Sequence, residues 1–443
     1  MRQNLKTVVS MHTRFKISFV LVVIIFSWVR VFAQHNHDHH ENTHNDHAHE
    51  MSDGNSEHQE SHGTCGSHDG HAAFDPASTA IHHISDANVY SLLDWIRIPL
   101  PTMLYAEDRG WDVFMSNVFE IGHHEDGHQS YNGYVMHEGS VYRVADKTFP
   151  QEGSVHLGGF TTESQLIDGK KRDVTYVCYE GNKFPCESRS TWDAGMLGGG
   201  VSSFYDFSIS KNVLAMLIVS IFLMWIFIKA AKKYKENPHS APSGTQGILE
   251  TLFVFIRDEV AIPFIGKDKY MKYIPILMSV FFFILGLNLF GQVPFFGSTN
   301  VTGNLTVTMV LAILVALFVN FKGNKHYWQH VFWMPGVPVA VKPLLAVVEV
   351  MSLFIKPLTL MLRLAGNISA GHIAILSFIG LIFVFGNSGA NLVGSSVGSL
   401  VSVPLTMFMM AIELIVAFVQ AFVFTILTAS YIGAATESHD DHH

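Results

Sequence analysis

Three ionisable side chains near the C-terminus lie inside long apolar stretches: Arg363, His372 and Glu413. An ionisable group in hydrocarbon costs roughly 2.5 to 3.5 kcal/mol on insertion scales, so such residues usually mark a functional site. Arg363 stays charged because the pKa of arginine exceeds about 12, so it can attract a carboxylate or repel a cation but cannot relay a proton. A histidine and a glutamate can pass a proton between them. These residue types predict a proton path in a membrane, and a simple ion pair between Arg363 and Glu413 is the alternative.

Two amides accompany these groups at helical spacing. Asn367 follows Arg363 by one turn on nearly the same face, and Gln420 follows Glu413 by about two turns. His372 points roughly to the opposite side of the helix from Arg363. Amides can hold water by donating and accepting hydrogen bonds, so both residues are predicted to line the path.

A polar seam precedes Arg363 on the same predicted helix. Its charged members recur every seven residues and two hydroxyls fall between them: Lys342, Glu349, Ser352, Lys356, Thr359 and Arg363. Such a seam needs a watery or protein-lined face. Alternatively, Lys342 and Lys356 extend to an interface and pair with Glu349, and the sequence leaves both interpretations open.

The elements that carry these residues are predicted to be membrane helices. The chain has 443 residues, of which 49% are hydrophobic and only 15% charged, which is typical of an all-α polytopic membrane protein. We expect five spans: 213–228, two within 273–321 on either side of a loop at 297–303, then 343–385 and 401–431. The last two are too long to cross upright, because 343–385 would extend about 65 Å as a helix. They predict a long tilted helical hairpin joined by an uncharged loop at 387–399.

Lysines set the predicted orientation. Lys229, Lys232, Lys233 and Lys235 follow the first span at once, which places that end in the cytoplasm. The polar connection 236–272, with a surface helix, and the C-terminus are expected on the same side. The net charge of −9 argues against nucleic-acid binding.

The first half of the chain is predicted to lie outside the cell. Residues 1–33 read as a signal peptide, with an uncleaved anchor as the alternative. Thirteen of the 26 histidines lie in 34–83, which we interpret as a disordered tract rather than a metal buffer. Residues 84–207 are expected to form a small domain with two β-hairpins, turning at Glu138-Gly139 and at Gly181-Asn182.

The second hairpin would bring two of the three cysteines together. We therefore predict a disulfide between Cys178 and Cys186, which leaves Cys65 without a predicted disulfide partner. No metal site is predicted. The chain divides into a signal peptide (1–33), a His-rich tract (34–83), an exterior domain (84–207), a membrane domain (208–435) and a cytoplasmic tail (436–443).

Four segments in the membrane half carry a family resemblance, and they lie at 242–261, 287–296, 356–367 and 413–431. In order and spacing they are similar to a subunits of F-type ATP synthases, over about 207–435. The resemblance implies that Arg363 is the family's essential arginine, which faces the carboxylate of each passing c subunit and keeps two half-channels apart. It also implies that Asn367 and Gln420 are the amides beside it.

The chain departs from many bacterial members at two positions. They carry an acid at the position of His372 and a histidine at that of Glu413, whereas this chain exchanges the two, as mitochondrial members do. One acid and one imidazole still face each other, which implies a preserved inlet half-channel. The order in which the two groups hand over the proton stays open, and the resemblance implies nothing about the exterior region.

The function implied is that of a proton-translocating stator subunit, which couples proton flow to ring rotation in ATP synthesis. Implied partners are the c-subunit ring, the b-subunit peripheral stalk, indirectly the soluble catalytic head, and the lipid of the cell inner membrane. No cofactor is expected and the chain is not expected to be an enzyme, since it has no GxxxxGK[ST] nucleotide loop.

Two rival functions fit the sequence less well. A divalent-metal transporter would use the His-rich tract to gather metal, but it should place several ligands in more than one span. The spans offer only Glu349, His372 and Glu413. An exterior scaffold merely anchored in the membrane does not explain ionisable groups within the spans.

Overall fold

The computed structural model describes residues 85–92, 96–122, 125–167, 170–190, 202–236, 241–293, 299–334, 337–387 and 391–436. The predicted signal peptide, the His-rich tract and all but the first residue of the predicted C-terminal tail lie outside the described residues.

The region predicted to lie outside the cell, for which we keep the name exterior domain, is built from short antiparallel strands. The strands are β1 (Val89–Leu92), β2 (Ile96–Pro99), β3 (Pro101–Ala106), β4 (Gly110–Met115), β5 (Gln129–Tyr131), β6 (Tyr134–His137), β7 (Ser140–Arg143), β8 (Ser154–His156), β9 (Gly159–Ile167), β10 (Lys170–Tyr179), β11 (Asn182–Pro185) and β12 (Phe204–Asp206). They form four small sheets, ordered β1-β2, β12-β3-β4, β7-β6-β5-β8 and β11-β10-β9. Two buried apolar clusters hold these sheets together, one around Tyr134 and Phe204 and the other around Phe149 and Val177.

Both predicted hairpins are present. His137 pairs with Ser140, so Glu138 and Gly139 form the first turn, and both have positive φ as a two-residue turn of this type requires. In the second hairpin Tyr179 pairs with Asn182. Its turn is therefore Glu180-Gly181, one residue earlier than predicted, and both of these residues again have positive φ.

The predicted Cys178–Cys186 disulfide is wrong. Cys186 is a free, buried thiol, whereas Cys178 is disulfide-bonded. The strand register explains the error, because Cys178 lies opposite Lys183 while the amide of Cys186 donates to the carbonyl of Thr175. Three residues of strand, about 10 Å, separate the two positions, which is too far for a disulfide. Burial raises the pKa of the Cys186 thiol to about 12.

Five helices are long and apolar enough to cross a membrane among the residues that the structure describes, as predicted. The helices are α1 (Lys211–Glu236), α2 (Thr245–Ile256), a π-helical turn (Arg257–Ala261), α3 (Ile262–Ile265), α4 (Tyr270–Gln292), α5 (Leu305–Lys322), α6 (Lys325–Phe332), α7 (Lys342–Phe385) and α8 (Leu392–Thr436). Five of them, α1, α4, α5, α7 and α8, are the candidate spans. The helix α2 falls in the connection where a surface helix was expected.

The central span is α4, which packs against both α1 and α8 and has most of its side chains buried. Close helix contact depends on Gly286, where a Cβ atom would lie 2.9 Å from Val219 of α1. The helix α8 packs on α4 as well, on the side away from α1. These buried apolar contacts with α4 position the hairpin.

The helical hairpin α7–α8 is longer than predicted. α8 begins at Leu392, so the predicted loop 387–399 is wrong over its second half. The small residues that suggested a loop instead allow close helix packing: Gly398 lies against the backbone of Ile382, and the hydroxyl of Ser402 donates to the carbonyl of Phe378. Small and hydroxylated residues serve this purpose in membrane helices.

The last turn of α8 is held by two other parts of the chain. The backbone amide of Asn324 donates to the carbonyl of Ala435 at 3.0 Å, and its side-chain amide donates to that of Thr436 at 3.2 Å. Lys269 Nζ also donates to the Thr436 carbonyl at 3.2 Å. These bonds satisfy carbonyls that a helix end leaves without a partner in its own helix.

Candidate functional site

The two helices of the hairpin bring His372 and Glu413 into direct contact. Nδ1 of His372 lies 2.7 Å from Oε1 of Glu413, and the two side chains are only 15% and 4% exposed. Gly371 makes room for the carboxylate, because a Cβ atom there would lie 3.0 Å from Oε1. An imidazole and a carboxyl group at this distance can exchange a proton without an intervening water.

The helix α4 holds the backbone of α8 at Glu413. Nε2 of Gln292 donates to the carbonyl of Glu413 at 2.8 Å, and Nδ2 of Asn288 donates to the carbonyl of Ala417 at 3.0 Å. Asn288 in turn accepts a hydrogen bond of 2.6 Å from the hydroxyl of Thr302. The acid is thus fixed by polar bonds at two successive turns of α8.

Polar groups also lie on the other side of the imidazole. A Cβ atom at Gly291 would be 3.9 Å from Nε2 of His372 and 2.6 Å from the carbonyl of Thr299, so the second ring nitrogen faces this corner. The adjoining loop buries Thr299, Asn300 and Thr302. The backbone of Thr299 thus lies near the imidazole, and Thr302 is linked to the backbone of α8 through Asn288.

Sequence reasoning did not single out these supporting residues. Asn288 and Gln292 lie four apart in a span without a charged residue, so both face one side of α4. That pairing of amides was the signal that could have found them. Thr299 and Thr302 gave no such signal, because nothing in a short loop sequence indicates which helix it contacts.

Arg363 and Asn367 occupy a different environment. Both side chains are exposed on the surface of α7, one turn apart on one face. Within the described part of the chain no carboxylate forms an ion pair with Arg363, and Glu413 contacts His372 instead. The ion pair between Arg363 and Glu413 that was weighed above is therefore absent from the described residues. Arg363 does interact electrostatically with Tyr431 of α8.

Gln420 lies on α8 and is buried, with 7% of its surface exposed. It follows Glu413 by seven residues, so the two side chains lie on nearly the same side of the helix. The structure thus gives the amide Gln420 an enclosed position and the amide Asn367 an open one.

The polar seam of α7 is interrupted rather than continuous. Nζ of Lys342 lies 4.8 Å from the centre of the Trp333 ring, and Nζ of Lys356 lies 5.5 Å from that of Tyr431. Among the described ion pairs, neither lysine is joined to Glu349, contrary to the pairing considered above. The hydroxyl of Thr359 donates to the backbone carbonyl of Ile355.

The remaining seam residues, Glu349 and Ser352, are half-buried. Glu349 acts electrostatically on Tyr327 of α6. A small cleft lies nearby between α5, α6, α7 and α8; its lining is mainly apolar, and its polar members are Asn320, Tyr327, Lys356 and Tyr431. The seam therefore runs from Arg363 toward this cleft at the lysine-rich end of the helices.

Metal binding finds no support in the part of the chain that the structure describes. No group of three or more histidine, cysteine, aspartate or glutamate side chains is placed to hold an ion there.

Comparisons with known proteins give two family matches. The model of the family described as ATP synthase A chain matches residues 213–433, which include the five residues of the predicted proton path. The model of a domain of unknown function matches residues 79–168, within and just before the exterior domain.

Curated relatives agree with the first match. The ATP synthase subunit a of Myxococcus xanthus (strain DK1622) is 38% identical over 267 residues, which cover 58% of this chain and 83% of the relative. ATP synthase subunit a 2 of Chlorobaculum tepidum is 38% identical over 247 residues, covering 54% of this chain and 67% of the relative. For the ATP synthase subunit a of Anaeromyxobacter dehalogenans (strain 2CP-C) the identity is 34% over 288 residues, covering 63% and 70%.

Proposed function

The chain belongs to the ATP synthase A chain family, and from that membership we propose that it is the proton-translocating stator subunit of a rotary ATP synthase. The observation that carries the proposal is the enclosed contact between His372 and Glu413, placed on the same hairpin as an exposed Arg363. The His372–Glu413 pair can pass protons, whereas Arg363 can only repel them. A complex that couples proton flow to rotation needs both functions.

The inlet half-channel ends at His372 and Glu413. Protons reach the imidazole along the polar loop that buries Thr299 and Thr302, then move between Nδ1 of His372 and Oε1 of Glu413 over 2.7 Å. Gln292 keeps the acid in place through the backbone of α8. From this pair the proton neutralises a carboxylate of the adjacent c-subunit ring.

Arg363 separates the two half-channels. It is the only cation in the 44-residue helix α7 beyond Lys356, and its exposed side chain is free to face a ring carboxylate. At about 4 Å, an arginine and a carboxylate attract each other by roughly 4 kcal/mol at an effective dielectric constant near 20. The ring carboxylate therefore loses its proton before it reaches Arg363, and the fixed charge blocks any proton from following. Asn367 and Gln420 hydrogen-bond water beside this barrier.

The outlet half-channel runs along the other part of the seam. Glu349, Ser352, Lys356 and Thr359 lead from Arg363 toward the cleft lined by Asn320 and Tyr327. The C-terminal ends of α1 and α5, which are rich in lysine, lie at this end, so we place it in the cytoplasm and the exterior domain on the opposite side of the inner membrane.

The proposed organisation follows from this orientation. Residues 1–33 would be removed as a signal peptide, 34–207 would lie outside, 208–435 would form the membrane domain and 436–443 would be a cytoplasmic tail. The b-subunit stalk would hold the chain against the c-subunit ring. Catalysis of ATP formation would belong to the soluble head, and this chain would carry no bond chemistry of its own.

A divalent-metal transporter, the rival function, gains no support. The relatives are named as ATP synthase subunits, and the described spans hold no cluster of metal ligands.

The test replaces each arginine of the membrane domain in turn. Arg363→Ala should lower ATP-driven proton pumping by vesicles that contain the assembled complex by at least about 100-fold, because about 3 kcal/mol of electrostatic stabilisation is lost. Arg257→Ala is the matched control, since Arg257 is partly exposed, lies outside the spans and pairs with Asp258. It should pump as the unaltered complex does.

Quinacrine-type fluorescence quenching reports the pumping, and ATP hydrolysis by the same vesicles reports that the head is intact. Retained pumping in Arg363→Ala vesicles would refute the proposed role of the arginine. Equal losses in both variants would show that the effect is not specific to the hairpin.

A further inference from the structure

The sheet beside the first membrane helix presents an apolar face to the outside. In β4 the exposed side chains are Trp111, Val113 and Met115, with 60%, 67% and 41% of their surfaces accessible. The neighbouring strand β3 adds Met103 and Tyr105, which pair with Val113 and Trp111 across the sheet. We call these five residues the apolar sheet face.

This pattern differs from the one expected for a sheet with one face in water, because both faces carry mainly apolar side chains. An antiparallel sheet with one solvated face normally alternates apolar residues inward and polar residues outward. Here Asp112 and Phe114 lie on the inward side of β4, opposite the fully buried Leu104 and Thr102, while the outward side carries no charge at all. The strand β9 of the same domain shows polar residues on its exposed face, because Thr162 and Ser164, two residues apart and so on one side of the strand, are both exposed.

The apolar sheet face lies close to the point where the chain enters the membrane. The amide of Phe207 donates to Met103 and that of Ile209 donates to Pro101, so the chain stays paired with β3 until two residues before α1 begins. The ring of Trp111 also packs on Phe207, with ring centres 5.2 Å apart. Four residues of extended chain span at most about 14 Å, which bounds the distance from Phe207 to the start of α1.

The register of α1 in the bilayer brings the sheet to the membrane surface. At the far end Nζ of Lys229 lies 5.1 Å from the Trp225 ring, an arrangement typical of the interface. The helix α1 begins at Lys211, so the 18 residues from Lys211 to Ile228 give only about 27 Å of helix, slightly less than the roughly 30 Å hydrocarbon core. The Pro101 and Met115 end of the sheet is therefore level with the headgroup layer, which is roughly 5 to 7 Å thick on each side.

We propose that the apolar sheet face lies in the interfacial layer of the lipid bilayer, with Trp111, Val113 and Met115 against the headgroup and upper acyl region. The occupant is phospholipid because the face continues the lipid-exposed surface of α1, which shows Ile218, Ile221 and Phe222 to the same surroundings. Tryptophan and tyrosine favour this layer, since their rings are apolar and their N–H and O–H groups stay hydrated. The exterior domain is thereby docked flat on the membrane, and this inference does not depend on the proposed proton path.

Photo-crosslinking in native membranes tests the proposal. A benzophenone amino acid is placed at Val113 and, in a separate variant, at Met115, and the complex is irradiated before purification. We expect a mass increase of one phospholipid on the peptide that contains the crosslinker in both variants. The matched control carries the same amino acid at Thr162, which is exposed in a different sheet, and should give no lipid adduct.

Two results would overturn the proposal. One is an adduct with a polypeptide at both Val113 and Met115, whether with another protein or with residues 1–84 of this chain. The other is a crosslinker that reacts with neither lipid nor protein at both positions, which would mean that water covers the face. Two positions are used so that a variant that fails to assemble still leaves the other to decide.

Discussion

Arg363 and His372 lie nine residues apart on α7, yet Arg363 is exposed on the helix surface whereas His372 is enclosed by neighbouring elements. The closed stretch consists of Gly371 and His372 on α7 and Glu413 on α8. The helix α4 and the loop at 299–304 enclose it. The open stretch, from Arg363 to Asn367, has its polar groups exposed on the surface of α7. The difference separates a site that this chain encloses by itself from one that the proposed ring would complete.

Free energy explains why the two stretches differ. A proton relay needs a fixed distance between donor and acceptor, and a packed, hydrogen-bonded surrounding supplies that. A charged arginine facing lipid costs several kcal/mol, so an open Arg363 requires either water or a partner's carboxylate. The closed stretch should therefore tolerate only exchanges that keep its internal pairing, whereas Arg363 has no ion-pair partner among the described residues with which it could be exchanged.

After the loss expected for Arg363→Ala, the next largest effect is expected from exchanging the two members of the closed stretch. His372→Glu places two carboxyl groups about as close as the present pair, and one of them must then stay protonated. Glu413→His leaves two imidazoles without an acid. Each variant alone should lower ATP-driven pumping by at least about tenfold, and the double variant should restore most of it, because an acid again faces an imidazole.

Pumping by vesicles with each of the three variants, normalised to ATP hydrolysis, measures this recovery. A double variant no better than the worse single variant would show that the closed stretch is not a self-contained pair.

A smaller effect is expected when one methyl group is added to each stretch. At Gly371 a Cβ atom would lie 3.0 Å from Glu413, so Gly371→Ala should push the carboxylate away from His372 by a few tenths of an ångström. At Gly366 nothing lies within 4 Å, so Gly366→Ala is the matched change in the open stretch. We expect pumping to fall roughly three- to tenfold for Gly371→Ala, with a shifted pH profile.

The reconstituted subunit alone should report the contrast between the glycines. Gly366→Ala should leave its thermal unfolding unchanged or slightly raised, since alanine favours helix by about 1 kcal/mol over glycine. If both variants lower the unfolding temperature equally, the open stretch is packed within this chain and the comparison fails.

The smallest effect is expected on stability alone. Asn288→Leu removes the hydrogen bonds to Thr302 and Ala417, which should lower the free energy of unfolding by about 1 to 2 kcal/mol. Asn367→Leu makes the same change in size and polarity on the open stretch and should alter it by less than about 0.5 kcal/mol. Denaturant titration of the reconstituted chain measures both, and equal losses would contradict the distinction.

The sequence predicted the parts of this site that follow a local period. Rules about neighbouring residues predict the five apolar stretches and the two turns with glycine. The same rules place Glu413 and Gln420 on one side of a helix and Arg363 and His372 on opposite sides of another. The start of α8 was predicted nine residues late because glycine and serine indicate loops in water but allow close helix packing in membranes.

The remainder depends on which elements touch. No period in α4 indicates that Asn288 and Gln292 reach the backbone of α8, because that depends on how three helices pack. The disulfide failed for the same kind of reason: Cys178 and Cys186 are near in sequence, but strand register separates them. Contacts between elements distant in the chain are the information that a single sequence holds least directly.

The bonds at the end of α8 have a mechanical consequence. In the proposed complex, a ring that turns against the hairpin would apply a sideways load to two helices of about 65 Å, much as a weight loads a beam. Lys269 and Asn324 fasten the end at Thr436, so bending would grow toward Leu392. Tyr431 lies five residues from that fastening, and Nζ of Lys356, seven residues before Arg363, lies 5.5 Å from its ring. Arg363 is therefore nearer to the fastened end than His372 is, and the same load would move it less.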